Sequence, residues 1–358
     1  MKKLILILIV VPLLINAQSQ GITNWWYQGY ECCLGLPYGI NIDFFNGAPS
    51  INYKSRSLSI SSCHANISDS SGNMLFYTNG YDICDASDTI MLNGDNISPS
   101  NIRINNPEGL FVPQCCLILP KPNNSNLYYI FHNTLDQAAN YQNSLHLYYS
   151  VIDMNLNNGL GAVTTKNVTL INDNLNPGKI ISCKHGNGRD WWVFCMQDNT
   201  NLIYKFLITP YGINGPYTQN IGVARGISYG QVKFNQSGTK FSYFNASYTT
   251  SGHLELFDFD RCSGFFSNPI MLSIPQSTSF AGGIEFSPND SLLYVSNCDS
   301  VYQFEIYSNN FAQSKNTVAV WDSFYSPYPP FSTALCSVYL HQMAKFTLLL
   351  ATALSTCM

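Results

Sequence analysis

The residues best suited to chemistry stand close together in the chain: His185, Arg189 and Asp190, followed directly by Trp191 and Trp192. A histidine beside a carboxylate can pass protons as general acid and base, and an indole offers a flat face on which a sugar ring stacks. The same residues have a plainer reading, in which His185 and Asp190 tie a tight turn together and the tryptophans fill the core behind it. That plainer reading is the favoured one. His185, Arg189, Asp190 and Trp191 are therefore candidate binding residues, and no catalytic residue, metal ligand or cofactor is assigned. Further along, Leu256-Phe257-Asp258-Phe259-Asp260-Arg261 alternates acids with aromatics, as a half-buried strand does. Asp258 and Asp260 share one face of it and suit a cation, but a solvated face or one paired with Arg261 is the expectation. The chain has no G-x-S-x-G elbow, no H-E-x-x-H pair, no phosphate-binding glycine loop and no dinucleotide fingerprint.

The whole chain must position these residues. It has 358 residues, 46% hydrophobic and 14% aromatic, ample for a core and too apolar for wholesale disorder. Charged residues make up only 11%, the net charge is −4, and no basic stripe exists to neutralise phosphates, so nucleic acid is excluded as an expected partner. Lys2-Lys3, the apolar run from Leu4 to Ile15 and the small residue Ala17 read as a cleaved export signal over residues 1–17. That apolar run is too short to span a bilayer, so no transmembrane anchor is expected. Export to an oxidising compartment makes most of the 12 cysteines disulfide candidates. No C-x-x-C occurs, which weakens a zinc reading. Cys32-Cys33 and Cys115-Cys116 are adjacent pairs whose members each need a distant partner. Cys183 and Cys195 flank the turn-like Gly186-Asn187-Gly188-Arg189 and are expected to face each other across a hairpin, with free buried thiols as the alternative.

No long amphipathic helix is legible. What recurs is a turn of Asn, Asp, Ser and Gly followed at once by β-branched or aromatic residues. Copies start at Asp69, Lys121, His185, Asn235 and Ser287, with strand-like runs before them. Gly and Asn accept the positive φ of a tight hairpin turn, and the aromatic run supplies the next strand. Start-to-start spacings of 52, 64, 50 and 52 residues approach the length of one four-stranded propeller blade. The expected fold is all-β: a β-propeller of four-stranded blades, five to six of them recognisable, in an incomplete ring. A pair of β-sandwiches is the rival, but it calls for no such repeated turn.

The stretch Phe286 to Asn297 (FSPNDSLLYVSN) resembles the blade strands of the YVTN/WD40-like propellers. More of the chain, including Leu117 to His132, Tyr149 to Val168, Lys184 to Trp192 and Leu256 to Pro269, is similar to a family of secreted Bacteroidota propellers associated with type IX secretion. The resemblance covers roughly residues 22–330. It implies a secreted or cell-surface propeller and carries no defined activity with it; the leading expectation for residues 18–330 is a monomeric, non-enzymatic propeller that binds a protein or glycan ligand. A lactonase-like or glycan-hydrolysing enzyme is the alternative. The resemblance fades after Phe331, where another blade turn is due. In a shifted reading frame the codons behind His341 to Phe346 permit a turn-and-strand pattern, so residues 331–358 are expected to be an out-of-frame, poorly ordered tail. A truncated gene product without function is the third reading.

Overall fold

The computed structural model describes residues 25–28, 39–43, 50–138, 141–246, 251–275, 281–325, 333–340 and 346–352. The export-signal reading and the pairing of Cys32, Cys33 and Cys357 lie outside them. The chain opens with a small antiparallel meander of β1 (Trp25–Gln28), β2 (Ile40–Asp43) and β3 (Ser50–Tyr53). Five more sheets follow among the described residues, each an antiparallel meander in chain order. The first is three-stranded: β4 (Ala65–Ser68), β5 (Met74–Thr78) and β6 (Ile83–Asp85). The second is built on β7 (Cys116–Pro120) and β8 (Leu127–Asn133). A short β9 (Asp136–Ala138) pairs with the start of β10 (Tyr141–Asp153), and β11 (Ala162–Leu175) forms the outer edge.

The third blade comprises β12 (Ile181–Lys184), β13 (Trp191–Met196), β14 (Thr200–Thr209) and β15 (Gly212–Arg225). The fourth comprises β16 (Val232–Phe234), β17 (Lys240–Asn245), β18 (Ser251–Asp260) and β19 (Phe265–Pro275). The fifth comprises β20 (Gly283–Phe286), β21 (Leu292–Ser296), β22 (Ser300–Glu305) and β23 (Asn316–Val320). Beside β20 lies one more hairpin, β24 (Thr333–Leu340) with β25 (Phe346–Thr352). Short 3-10 turns are the only helical segments among the described residues, and no described helix is long and apolar enough to cross a membrane.

Each of the five repeated turns foreseen from the sequence joins the first two strands of one blade. Each holds one residue at positive φ: Gly72, Asn123, Gly188, Gly238 and Asp290. A side-chain oxygen closes each turn from within. Asp69, for instance, accepts the amides of Ser71 and Asn73, and Asn187 accepts those of Arg189 and Asp190. The turn chemistry is local, which is why composition reveals it.

The sheets stack face to face, and the core is a series of apolar slabs between successive blades. Alternate residues of β13 show the rule. Trp191, Val193 and Cys195 point into the slab with Leu119, Phe131 and Leu147 of the second blade. Trp192, Phe194 and Met196 point into the slab with Phe234, Phe241 and Phe257 of the fourth. With both faces covered, every residue of β13 is buried and the strand loses the polar alternation of a one-sided sheet. The outer strands β15 and β19 are largely exposed. The innermost strands converge. Gln114, just ahead of β7, both accepts from the Val232 amide and donates to its carbonyl (2.9 Å each), reaching two blades onward. Blades of two or more hairpins set around a common axis are a β-propeller, here with five blades.

Candidate functional site

The His185 cluster occupies the β12–β13 turn, at the end of the third blade where β14 also turns into β15. Asp190 is buried, and both its oxygens are engaged. Arg189 donates to Oδ1 through Nε (2.7 Å) and to Oδ2 through Nη2 (3.0 Å), and Asn187 Nδ2 donates to Oδ2 (2.9 Å). The Arg189 bonds hold the Asp190 carboxyl below its usual range against the opposing effect of burial, with Asn187 adding to them. His185 is fixed at both ring nitrogens. Nδ1 accepts the Asn187 amide (3.1 Å), so the proton sits on Nε2, which donates to the Cys262 carbonyl (3.0 Å). His185 and Asp190 meet only through the backbone, where the His185 amide donates to the Asp190 carbonyl (2.9 Å).

The β18–β19 turn of the fourth blade packs against this turn, and Arg261 joins the two. Its Nε donates to the Lys184 carbonyl (2.8 Å), Nη2 to that of His185 (3.3 Å) and Nη1 to that of Ser237 (3.1 Å). In return the Arg261 carbonyl accepts Trp192 Nε1 (2.9 Å) and the Gly186 amide (3.1 Å). The Trp192 ring is the hub. It lies 5.9 Å from the His185 ring, edge-on to Tyr217 at 6.4 Å, and so close to Gly264 that a Cβ there would stand 2.7 Å from the indole. Lys205 donates to the Gly264 carbonyl (2.9 Å) with its ammonium 4.4 Å from the centre of the Phe265 ring.

Around this ordered frame three aromatic side chains stand in solvent: Tyr211 (96% exposed), Phe265 (58%) and Tyr217 (48%). The face therefore combines exposed rings with the guanidinium of Arg189 and the amide of Asn187. Trp191, the fourth candidate, is not brought to it. It is buried between the second and third blades, with Lys184 Nζ 3.6 Å above its ring. Sequence reading missed Tyr211, Tyr217 and Phe265. Their only signal is position: Tyr211 sits in the β14–β15 turn, Phe265 opens β19 beside the β18–β19 turn and Tyr217 lies within β15 opposite Lys205, an arrangement visible only once the hairpins are paired.

The expected Cys183–Cys195 disulfide is not formed. Cys183 stands opposite Trp192 and Cys195 opposite Tyr204, and the two thiols enter slabs on opposite faces of the blade. Side chains of unlike parity across a hairpin point apart, and no backbone shift short of a register slip reverses that. Cys63, Cys84, Cys115, Cys116 and the exposed Cys262 are likewise free. The acidic pair is also partnered otherwise than by Arg261. Asp258 takes Lys240 and Asn268 Nδ2 (2.7 Å), while Asp260 accepts the Cys262 amide (2.9 Å) and the Ser263 hydroxyl (2.6 Å) inside its own turn.

No protein-family profile matches the chain, and no curated protein matches it. Among solved structures, it is similar to a provisionally assigned 6-phosphogluconolactonase from Bacteroides fragilis (13% identity, 90% of this chain and 92% of that one, TM-score 0.44). It is also similar to the β-propeller domain of Cps50 (Swd1) from Myceliophteria thermophila (10% identity, 90% and 89%, TM-score 0.44). A luciferin-regenerating enzyme matches at 10% identity over 91% and 82%, with a TM-score of 0.37. These are distant likenesses. The propeller assignment rests on the sheet order and the shared slabs.

Proposed function

We propose that this is an exported, non-enzymatic propeller that binds a protein or glycan outside the cell, a glycan above all, on the face formed by the first turn of the third blade and the last turn of the fourth. The observation that carries this reading is the trio Tyr211, Tyr217 and Phe265, left in solvent around a polar frame whose every member is already fixed. Exposed planar rings beside oriented guanidinium and amide donors suit the apolar face and hydroxyl edge of a sugar. A frame ordered before the ligand arrives lowers the entropy lost on binding. The export-signal pattern of residues 1–17 supports an extracellular setting.

The alternative is a lactone- or glycan-hydrolysing propeller, since one fold hosts both classes. On this face it is disfavoured by chemistry. A general acid or base needs a free proton position facing substrate, and both nitrogens of His185 and both oxygens of Asp190 are taken by the scaffold. The test is an array of bacterial and plant polysaccharides probed with the full chain, followed by calorimetry on the best responder. Binding is expected, weakened at least about tenfold in Tyr211→Ala/Phe265→Ala with an unchanged melting temperature. No binding to any polysaccharide, or binding untouched by the double variant, overturns the proposal. Turnover of a sugar lactone by the same preparation would favour the enzyme.

A further inference from the structure

Three cysteines from two blades meet at the inner end of the molecule, remote from the aromatic face. Cys63 lies just ahead of β4, and Cys115 and Cys116 lie at the start of β7. The Cys63 and Cys116 sulfurs are 2.8 Å apart, less than about 1 Å beyond the S–S bond length of about 2.05 Å. Cys115 also hydrogen-bonds Cys63 through its thiol. The surroundings are apolar, chiefly Tyr81, Leu110, Val112 and Leu135. The backbone on both sides is anchored. The Cys63 amide donates to the Leu110 carbonyl (2.9 Å), the Asn133 amide donates to the Cys115 carbonyl (2.9 Å), and Cys116 is in register with His132. A metal does not account for the gathering, because thiolates each about 2.3 Å from a tetrahedral zinc stand well over 3 Å from one another.

We propose that Cys63 and Cys116 form a disulfide that staples the inner strand of the first blade to that of the second, with Cys115 left as a neighbouring thiol. The link is made during folding, before the slab closes, by exchange with a disulfide-bearing oxidant such as oxidised glutathione or a dithiol oxidoreductase. The Cys63 thiolate attacks one sulfur of that disulfide and releases one donor thiolate, leaving a mixed disulfide. Cys116 then attacks Cys63 Sγ, the S–S bond forms, and the second donor thiolate leaves. Two electrons pass to the donor, and its two sulfurs take up the two thiol protons. The link closes a long loop, the two residues being 53 apart in the chain, which is where a cross-link restrains the unfolded state most.

The experiment refolds the full chain in a reduced/oxidised glutathione buffer, denatures it in N-ethylmaleimide without reductant, and maps tryptic peptides. The peptide carrying Cys63 is expected to be joined to the one carrying Cys115 and Cys116. The link should persist in Cys115→Ser and in Cys84→Ser, which shares a tryptic peptide with Cys63, and vanish in Cys116→Ser. The oxidised protein should melt roughly 5–10 °C above its reduced form. Alkylation of all three cysteines in the wild type overturns the proposal. So does loss of the link in Cys115→Ser, an outcome that stays readable if Cys116→Ser does not fold.

Discussion

Arg225 and Glu255 offer the sharpest test of how successive blades hold together. Arg225 ends β15 of the third blade, Glu255 sits in β18 of the fourth, and their side chains are 1% and 0% exposed. The contact is two-pronged, Nε to Oε2 at 2.7 Å and Nη2 to Oε1 at 3.2 Å, with the Val223 amide donating to Oε1 (3.1 Å). The guanidinium also lies 5.2 Å from the Tyr243 ring centre. Charges about 4 Å apart attract by about 4 kcal/mol at an effective dielectric of about 20, close to what desolvating them costs. Arg225→Leu leaves a buried carboxylate without its cation, and Glu255→Leu does the converse. Each should destabilise by about 3–5 kcal/mol, whereas Arg225→Leu/Glu255→Leu should cost far less than their sum. Urea unfolding followed by tryptophan fluorescence gives the three values and the coupling energy. Single variants within about 1 kcal/mol of wild type, or a double variant that is simply additive, would show that the pair does not join the blades.

Two further outcomes follow from neighbouring features. Gly222, at φ +77° in the bulge of β15, leaves no room for a side chain, since a Cβ would stand 2.0 Å from Glu255 Oε1 and 2.6 Å from Arg225 Nη2. Gly222→Ala should therefore cost about 2–4 kcal/mol in the same unfolding assay, and a neutral result would mean the bulge is free to rearrange. His132 is buried, and burial lowers it from 6.5 to about 3. The unfolded chain thus binds a proton that the folded one refuses between those values, so stability is fully present above about pH 6.5 and falls as pH drops toward 3, by about 1.4 kcal/mol per unit. His132→Gln should flatten that part of the pH–stability curve, and a curve of unchanged slope would assign the acid sensitivity to other groups.

The blades are legible in the sequence because their signal is short-range. Asp69, Lys121, His185, Asn235 and Ser287 each open a turn whose polar oxygens and left-handed residue act within a few positions, and each falls between the first two strands of a blade. What escaped was everything decided between blades. Cys63 finds Cys116 across 53 residues, Gln114 reaches Val232 across 118, and Arg261 grips Lys184 across 77. No spacing rule announces such partners. The Cys183–Cys195 expectation failed for a related reason: a turn's position can be read from composition, but the parity of the residues flanking it depends on register. The Arg189–Asp190–Asn187 lattice is intermediate. Its members are neighbours in sequence, yet which oxygen each donor takes is set by the three-dimensional course of the turn, which residue types alone do not specify.

The slab construction has a bearing on how the molecule comes apart. A globule with one interior either keeps it or loses it, but here the second, third and fourth blades each lend one side to the neighbour before and the other to the neighbour after. The third and fourth sheets are gripped on both sides by large aromatic layers, so peeling away an outer module bares half of the next one, and loosening spreads inward by steps. Such a body behaves more like a stack of plates than a sphere, and its middle plates are the last to separate.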